Sequence, residues 1–462
     1  MSSADETPQR YHVITFGCQM NAHDSERITG MLEQRGMTPA TDLDDADVLV
    51  FNTCTIREKP DEKLYDHLKH AKGSKRRRKG AQIVAVGGCL VEAQKEHLLK
   101  EFPWVDVAFG PGRIRDLDNF LELADGHGAS IGQVPGAGEG FYGIGDERSF
   151  ASELPTQRER SHQAWVQISM GCNMKCSYCI VPSVRGRERS RAFTDIVDEV
   201  ERLAADGVVE VSLLGQNVNS YGNELARDGS PRTFAELLRA VDAVEGIQRI
   251  RYTSPHPAHM RDDVIAAMAE CDSVMPQLHL PLQAGSTRVL KTMRRTYSQE
   301  RFLALVDKIR ASMPDISLST DLIVGFPGET EAEFLETIAV CEQVRFDGAY
   351  TFIYSARTGT EAAAMGVDFI PPEEQHRRLT HLVNVVRGIA TERHERFVGR
   401  TQDVLVEGVD RKVRQRMRGR TPHNVKVNFE GEAPEGAIVP VEIVHATSES
   451  LLGRQLVTAP KP

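Results

Sequence analysis

The chain has 462 residues, 40% of them hydrophobic, with 56 Lys and Arg against 66 Asp and Glu for a formal net charge of -10. That length accommodates about three domains of ordinary size, and the acidic balance argues against a uniformly basic nucleic-acid coat, leaving any RNA contact to local basic clusters. No uncharged apolar stretch approaches a membrane span, and Met1-Ser2-Ser3-Ala4-Asp5-Glu6-Thr7 has neither the basic nor the apolar region of a leader, so a cytoplasmic protein without a membrane partner is expected.

Residues 9–125 read as an alternating β/α block. Apolar segments end at Tyr11-His12-Val13-Ile14-Thr15-Phe16-Gly17-Cys18, Val48-Leu49-Val50-Phe51-Asn52-Thr53-Cys54 and Ile83-Val84-Ala85-Val86-Gly87-Gly88-Cys89, each a buried strand finishing in cysteine. Helical patterns at Asp24 to Arg35 and Asp61 to Lys72 separate them, which makes the sheet parallel. Parallel strands present their carboxyl ends along one edge, where ligand sites form, so Cys18, Cys54 and Cys89 are expected to meet as a three-thiolate cluster site. The bland alternative is three unrelated core cysteines, since free cysteine is often buried. The run Lys75-Arg76-Arg77-Arg78-Lys79 reads as a flexible loop that touches RNA or only water.

Glycine, proline and charge dominate from Gly126 to Arg160 without a sustained period, which places a linker at 126–157. The block 158–396 then repeats strand and helix six times, with strands at Trp165 to Ser169, Val208 to Leu214, Ile247 to Thr253, Met275 to Leu282, Ile316 to Val324 and Gly348 to Tyr354. Helices such as Asp195 to Ala205, Ala235 to Val244, Asp262 to Ala269 and Glu329 to Gln343 fall outside a partial (β/α)6 barrel.

After the first of these strands comes Gly171-Cys172-Asn173-Met174-Lys175-Cys176-Ser177-Tyr178-Cys179. A cubane cluster takes four thiolates, so three closely spaced ligands leave one iron open to a small molecule. A zinc site would need a fourth ligand and a disulfide loop an oxidising compartment. The loop resembles the signature of the radical S-adenosylmethionine (SAM) superfamily, whose open iron chelates SAM. Behind it, Arg185-Gly186-Arg187-Glu188-Arg189-Ser190-Arg191 would, if extended, align Arg185, Arg187, Arg189 and Arg191 on one face as a phosphate-binding strip, or else form a solvated charge run.

Chemistry in a parallel barrel gathers at the carboxyl ends of its strands. The cofactor-binding candidates there are Gln216, Asn217, His279, Gln283 and Asp321, and Ser254, His256, Gly325, Tyr354 and Ser355 share the same rim. Cys271 and Cys341 lie near helix ends, and a buried structural role is expected for both.

A long helical pattern at Pro372 to Phe397 leads to a block at 397–460 with strands at Asp403-Val404-Leu405-Val406, Val425-Lys426-Val427-Asn428-Phe429 and Ile438-Val439-Pro440-Val441-Glu442-Ile443-Val444, a small β barrel. Between strands lie Arg411, Lys412, Arg414, Arg416, Arg418 and Arg420, of which Arg414, Arg416 and Arg418 are the RNA-contact candidates, with Phe429 the obvious aromatic platform.

In this order the blocks resemble the radical SAM methylthiotransferases, whose small barrel is called TRAM. The resemblance spans nearly the whole chain. Phe51-Asn52-Thr53-Cys54-Thr55-Ile56-Arg57-Glu58-Lys59, Arg185 to Arg191 and His279-Leu280-Pro281-Leu282-Gln283 are similar to the tRNA-modifying branch, while Ala284 and Thr358 stand where serine and proline are frequent. The resemblance implies methylthiolation of C2 of N6-dimethylallyladenosine at position 37, beside the anticodon, in tRNAs reading codons that begin with uridine. Two 4Fe-4S clusters and two SAM molecules are implied. The cluster on Cys172, Cys176 and Cys179 would cleave one SAM to a 5′-deoxyadenosyl radical, and that on Cys18, Cys54 and Cys89 would hold a sulfur methylated by the other. A flavodoxin-like electron donor, a tRNA anticodon stem-loop as partner and a monomeric enzyme complete the expectation. Three other readings share the sequence features: action on threonylcarbamoyl-adenosine of tRNA, action on an aspartate of a ribosomal protein, and a noncatalytic iron-sulfur RNA-binding protein.

Overall fold

The computed structural model describes residues 9–55, 58–94, 96–124, 141–143, 150–224, 232–367, 369–410 and 413–456. The chain divides into two compact units, one made of Met1–Glu159, Trp165–Met174 and Cys179–Arg191, the other of Arg160–Ala164, Lys175–Tyr178 and Ala192–Pro462.

In the first unit, six strands form one sheet in the order Thr38–Pro39, Arg10–Thr15, Val48–Thr53, Ile83–Gly88, Val107–Phe109 and Phe141–Gly143, and every pair is parallel. All six residues of Val48–Thr53 and of Ile83–Gly88 are buried, because helices cover both faces and side chains alternate between them. Leu49 and Phe51 join one core with Leu64 and Leu68 of the helix Glu58–Arg77. Val48 and Val50 join the other with Ile28 and Leu32 of the helix Gln19–Gln34.

Three expectations change here. The run at Lys75 is no loop: Lys75, Arg76 and Arg77 form the last turn of Glu58–Arg77, where positive charge suits the helix dipole. Lys75 pairs with Asp106, Arg77 with Asp44 and Arg78 with Asp47, so these cations serve the fold. The first helix begins at Gln19 rather than Asp24, with Cys18 as its N-cap. Much of the expected linker, residues 125–140 and 144–149, lies outside the described residues, but Phe141–Gly143 is a strand of the sheet and Ala151 packs in its core.

In the second unit the barrel strands follow chain order. Glu210–Leu214 and Arg249–Tyr252 pair in one sheet, Gln277–His279, Ser317–Val324 and Gly348–Ile353 make another, and a parallel bridge links Ile250 to Val274. The expected strands and helices all occur with shifted ends. The helices Thr287–Thr292 and Gln299–Ser312 add to them.

The helix Pro372–Glu395 leads to a closed five-stranded barrel of Thr401–Val409, Met417–Arg420, Lys426–Glu430, Leu451–Gln455 and Ile438–Ala446. Register shifts at Val406/Gly408 and Ile443/His445 bend its long strands toward closure. Arg418 and Arg420 sit on a strand rather than in a loop, and Arg411 and Lys412 lie outside the described residues. Phe429 is fully buried among Val404, Val427 and Val441, so it offers no platform to a base. Two buried arginines of the strand Arg249–Tyr252 reach this small barrel: Arg249 donates to the carbonyls of Asp403 and Arg420 at 2.6 and 3.0 Å, and Arg251 to those of Thr421 and Pro422 at 3.0 Å each.

Candidate functional site

Three adjacent parallel strands, Arg10–Thr15, Val48–Thr53 and Ile83–Gly88, end on one edge of the first sheet, and Cys18, Cys54 and Cys89 follow them. Two glycines allow the close approach. Gly17 has φ +128°, and a Cβ there would lie 2.4 Å from Cys54 Cβ. Gly88 has φ +101°, and its Cβ would lie 2.3 Å from the Thr53 carbonyl. Asn21 braces the edge by donating to the Thr53 carbonyl at 3.0 Å, and Asn52 donates to the Asn21 carbonyl at 2.8 Å.

Cys18 is exposed, whereas Cys54 and Cys89 are buried. A hydrogen bond from Cys54, assisted by the charge of Arg185, lowers the Cys18 thiol to about 6. Burial raises Cys89, and Arg185 only partly offsets it. Arg185 ends the short helix Val181–Arg185, is 4% exposed, and donates through Nε to Cys89 Sγ at 3.2 Å and through Nη2 to Asp24 Oδ2 at 3.0 Å. Burial would raise Asp24, but Arg185 and His23 hold its carboxyl below the usual range. Nη1 of Arg185 is buried without a partner among the described residues.

The expected arginine strip therefore does not form as one face. Arg185 is spent on Asp24 and Cys89, and buried Arg191 donates to the Gln167 carbonyl at 3.3 Å, leaving Arg187 and Arg189 exposed. The reason is backbone: Arg185 is helical, and Gly186 turns the chain at φ +74° before the short strand Arg189–Ser190.

The second trio, Cys172, Cys176 and Cys179, is half-buried. Gly171, at φ +79°, brings the start of its loop so close to the following segment that a Cβ would lie 2.2 Å from the Arg187 carbonyl, and Cys172 N donates to the Gly186 carbonyl at 3.1 Å. In the other unit, Cys176 Sγ accepts from Arg295 Nη1 at 3.3 Å. Arg295 also donates to Tyr297 Oη at 2.9 Å and to the Pro281 carbonyl at 3.3 Å. Nothing in periodicity or spacing singles out Arg185 or Arg295 as sulfur partners; their role depends on residues distant in the chain.

Either donor set, three sulfurs with no fourth ligand among the described residues, fits a 4Fe-4S cluster with one open iron better than zinc. Among the described residues no group of three or more His, Cys, Asp or Glu converges tightly enough for a single ion. A cubane spreads its thiolates over separate irons, one to each corner, rather than gathering them on one ion.

On the barrel, His279 and Asp321 share an inner face with Ser319 and Tyr350, as the parallel register dictates. His279 Nδ1 lies 3.0 Å from Ser319 Oγ, its Nε2 lies 3.4 Å from Asp321 Oδ2, and the rings of His279 and Tyr350 are 5.8 Å apart. Gln283 joins them through its backbone, donating to the Asp321 carbonyl at 2.8 Å and accepting from Ile323 N at 2.9 Å, with φ at +73°. Gln216 and Asn217 follow a strand of the other sheet. The buried Asn217 amide sits 3.0 Å from His259 Nδ1, which makes it a brace for that turn. His256 accepts from Ala258 N at 3.2 Å through Nδ1; burial, then the charge of Arg295, lowers its imidazole to about 2, so it stays neutral. Arg414 is exposed and Arg416 and Arg418 half-buried. Cys271 and Cys341 are buried, with thiols pushed up by burial to about 11 and about 12, as befits structural cysteines.

Models of three families match the chain: the Radical SAM superfamily over residues 166–341, Uncharacterized protein family UPF0004 over residues 10–110, and the TRAM domain over residues 395–456. Proteins named tRNA-2-methylthio-N(6)-dimethylallyladenosine synthase from Nocardioides sp. and Acidothermus cellulolyticus are each 48% identical to it, over 98% of this chain and 90% and 89% of theirs. Among solved structures, the radical SAM methyltransferase TsrM from Kitasatospora setae, with cobalamin and a [4Fe-4S] cluster bound, gives a TM-score of 0.55 over 77% of each chain at 14% identity. The cobalamin-dependent SAM radical enzyme OxsB gives 0.51 over 83% of this chain and 58% of that one at 11% identity. Such low identities speak of fold alone.

Proposed function

The chain belongs to the tRNA-2-methylthio-N(6)-dimethylallyladenosine synthase family of radical SAM methylthiotransferases, and from that membership we propose that it methylthiolates C2 of N6-dimethylallyladenosine at position 37 of tRNAs reading codons that begin with uridine. The observation that carries the proposal is the near full-length likeness, together with a cysteine trio in each of the two matched blocks. When bound, two 4Fe-4S clusters and SAM supply what side chains cannot, namely an electron to break SAM, removal of hydrogen from a carbon too weakly acidic for a general base, and a sulfur to transfer.

The residues of the chain hold and orient these groups. Cys172, Cys176 and Cys179 bind one cluster, and Arg295 pins Cys176 against the backbone at Pro281. Cys18, Cys54 and Cys89 bind the other, with the low thiol pKa of Cys18 favouring the thiolate that ligation requires. His279 and Asp321 present a donor–acceptor pair to SAM on the inner face of the barrel, and Gln283 fixes the strand ends around them. Exposed Arg187 and Arg189, with Arg414, Arg416 and Arg418 of the small barrel, meet phosphates of the anticodon stem-loop. The enzyme works as a cytoplasmic monomer fed by a flavodoxin-like donor.

The test is direct. Reconstituted protein, SAM, reductant and tRNA carrying N6-dimethylallyladenosine are incubated, and the digested nucleosides are weighed. A methylthio adduct is expected; its absence while SAM is still cleaved sinks the substrate assignment. Replacing Cys18, Cys54 and Cys89 together by alanine is expected to spare SAM cleavage and abolish the adduct, and loss of both activities would contradict the division of labour.

A further inference from the structure

Each cysteine trio is touched by an arginine, and the two arginines differ in how fully the described residues satisfy them. Arg295 places Nε on Tyr297 Oη, Nη1 on Cys176 Sγ and Nη2 on the Pro281 carbonyl, so each of its nitrogens has an acceptor. Arg185 places Nε on Cys89 Sγ and Nη2 on Asp24 Oδ2, but its Nη1 is buried with no acceptor among the described residues. A buried guanidinium N–H without an acceptor carries its full desolvation penalty, and native proteins rarely leave one so. Its neighbour in the same fork is a sulfur, and the site is buried, with Arg185 4% exposed and Asp24 1%. A group held by the thiols of Cys18, Cys54 and Cys89 would supply the missing acceptor.

We propose that Arg185 is a positioning residue for the cluster at Cys18, Cys54 and Cys89: Nε bonds the Cys89 thiolate, and Nη1 donates to a sulfide of the cluster. The inference rests on the reading that this trio binds a cluster. Asp24 fixes the fork, with His23 Nδ1 3.5 Å behind it, so the guanidinium cannot swing out to solvent. Donated N–H···S bonds and an adjacent positive charge favour the more reduced, more negative cluster, which raises its reduction potential.

The experiment uses the full chain with Cys172, Cys176 and Cys179 changed to alanine, leaving one cluster, and with arginine labelled by 15N in the guanidinium. Pulsed EPR of the reduced cluster is expected to show a 15N coupling that disappears in Arg185→Gln. In redox titrations Arg185→Gln is expected to shift the midpoint to more negative potential, with Arg185→Lys between it and the parent. Full iron and sulfide with no 15N coupling in the parent overturns this inference and leaves the two-cluster reading standing. An unchanged midpoint in an iron-loaded Arg185→Gln does the same. Absence of iron from the parent trio overturns both. Because the coupling is read with Arg185 intact, a variant that fails to load iron does not block the decision.

Discussion

Gly88 precedes Cys89 at φ +101°, with the Thr53 carbonyl where a side chain would start. Gly88→Ala is expected to destabilise the first unit by about 1–3 kcal/mol from backbone strain alone, with the clash adding to it, and to lower the iron held by the first trio. Thermal unfolding of the cluster-free protein and iron analysis of the Cys172/Cys176/Cys179 alanine variant measure the two effects; unchanged values for both would refute the close-approach argument. At this scale the placement of Cys18, Cys54 and Cys89 just past three adjacent parallel strands was legible in the sequence, because apolar runs ending in cysteine mark the strand ends directly. Arg185 was not. Its assignment to a phosphate strip assumed an extended backbone, whereas the chain is helical up to Arg185 and turns at Gly186. Arg295 was invisible for another reason, since its partners Cys176 and Pro281 are brought together only by the fold.

Elements were legible where burial is two-sided. Val48–Thr53 and Ile83–Gly88 are apolar throughout because both faces of the sheet are covered. Met417–Arg420 is not legible as a strand because Met-Arg-Gly-Arg carries no apolar alternation; it is one because Thr401–Val409 and Lys426–Glu430 pair with it on both sides. Gly419 there would place a Cβ 2.3 Å from the Leu405 carbonyl, so the site demands a glycine whatever its neighbours suggest. The helix Glu331–Val344 starts with a capping box in which Glu333 N donates to Thr330 Oγ1 and Glu333 bonds back to Thr330 N. Thr330→Ala is expected to lower stability by about 1 kcal/mol, read as a shift in the denaturation midpoint with an unchanged slope. Arg249→Met should cost more, about 3 kcal/mol, since it removes two charge-assisted hydrogen bonds and leaves the Asp403 and Arg420 carbonyls without their donor. Faster proteolytic release of residues 397–456 is the companion readout, and wild-type resistance would argue that the contact is idle.

Among the described residues, five histidines have imidazoles lowered chiefly by burial: His162, His256, His259, His394 and His423. The folded chain keeps them neutral below the pH at which the unfolded chain takes up protons, so the unfolded state binds more protons and stability falls as pH falls. Glu26, raised to about 7, and Glu329, also raised, both mainly by burial, act in the opposite sense, their folded forms holding protons that the unfolded chain has released. Five groups outnumber two. The unfolding temperature of the cluster-free protein is therefore expected to drop between about pH 7 and about pH 5, with net proton uptake on unfolding; a flat or rising profile would refute it. Little of this is readable from the sequence, because a histidine's environment comes from several elements at once, as the tilted packing of His423 against Phe397, ring centroids 4.9 Å apart, beside Asp315 illustrates.

The buried arginines that reach the small barrel grip peptide oxygens of Asp403, Arg420, Thr421 and Pro422, atoms that every amino acid supplies. A graft that preserved the backbone path of 401–425 while rewriting its outward side chains would keep this latch engaged. The position of the terminal barrel is thereby set by backbone path alone, independent of the side chains it turns outward.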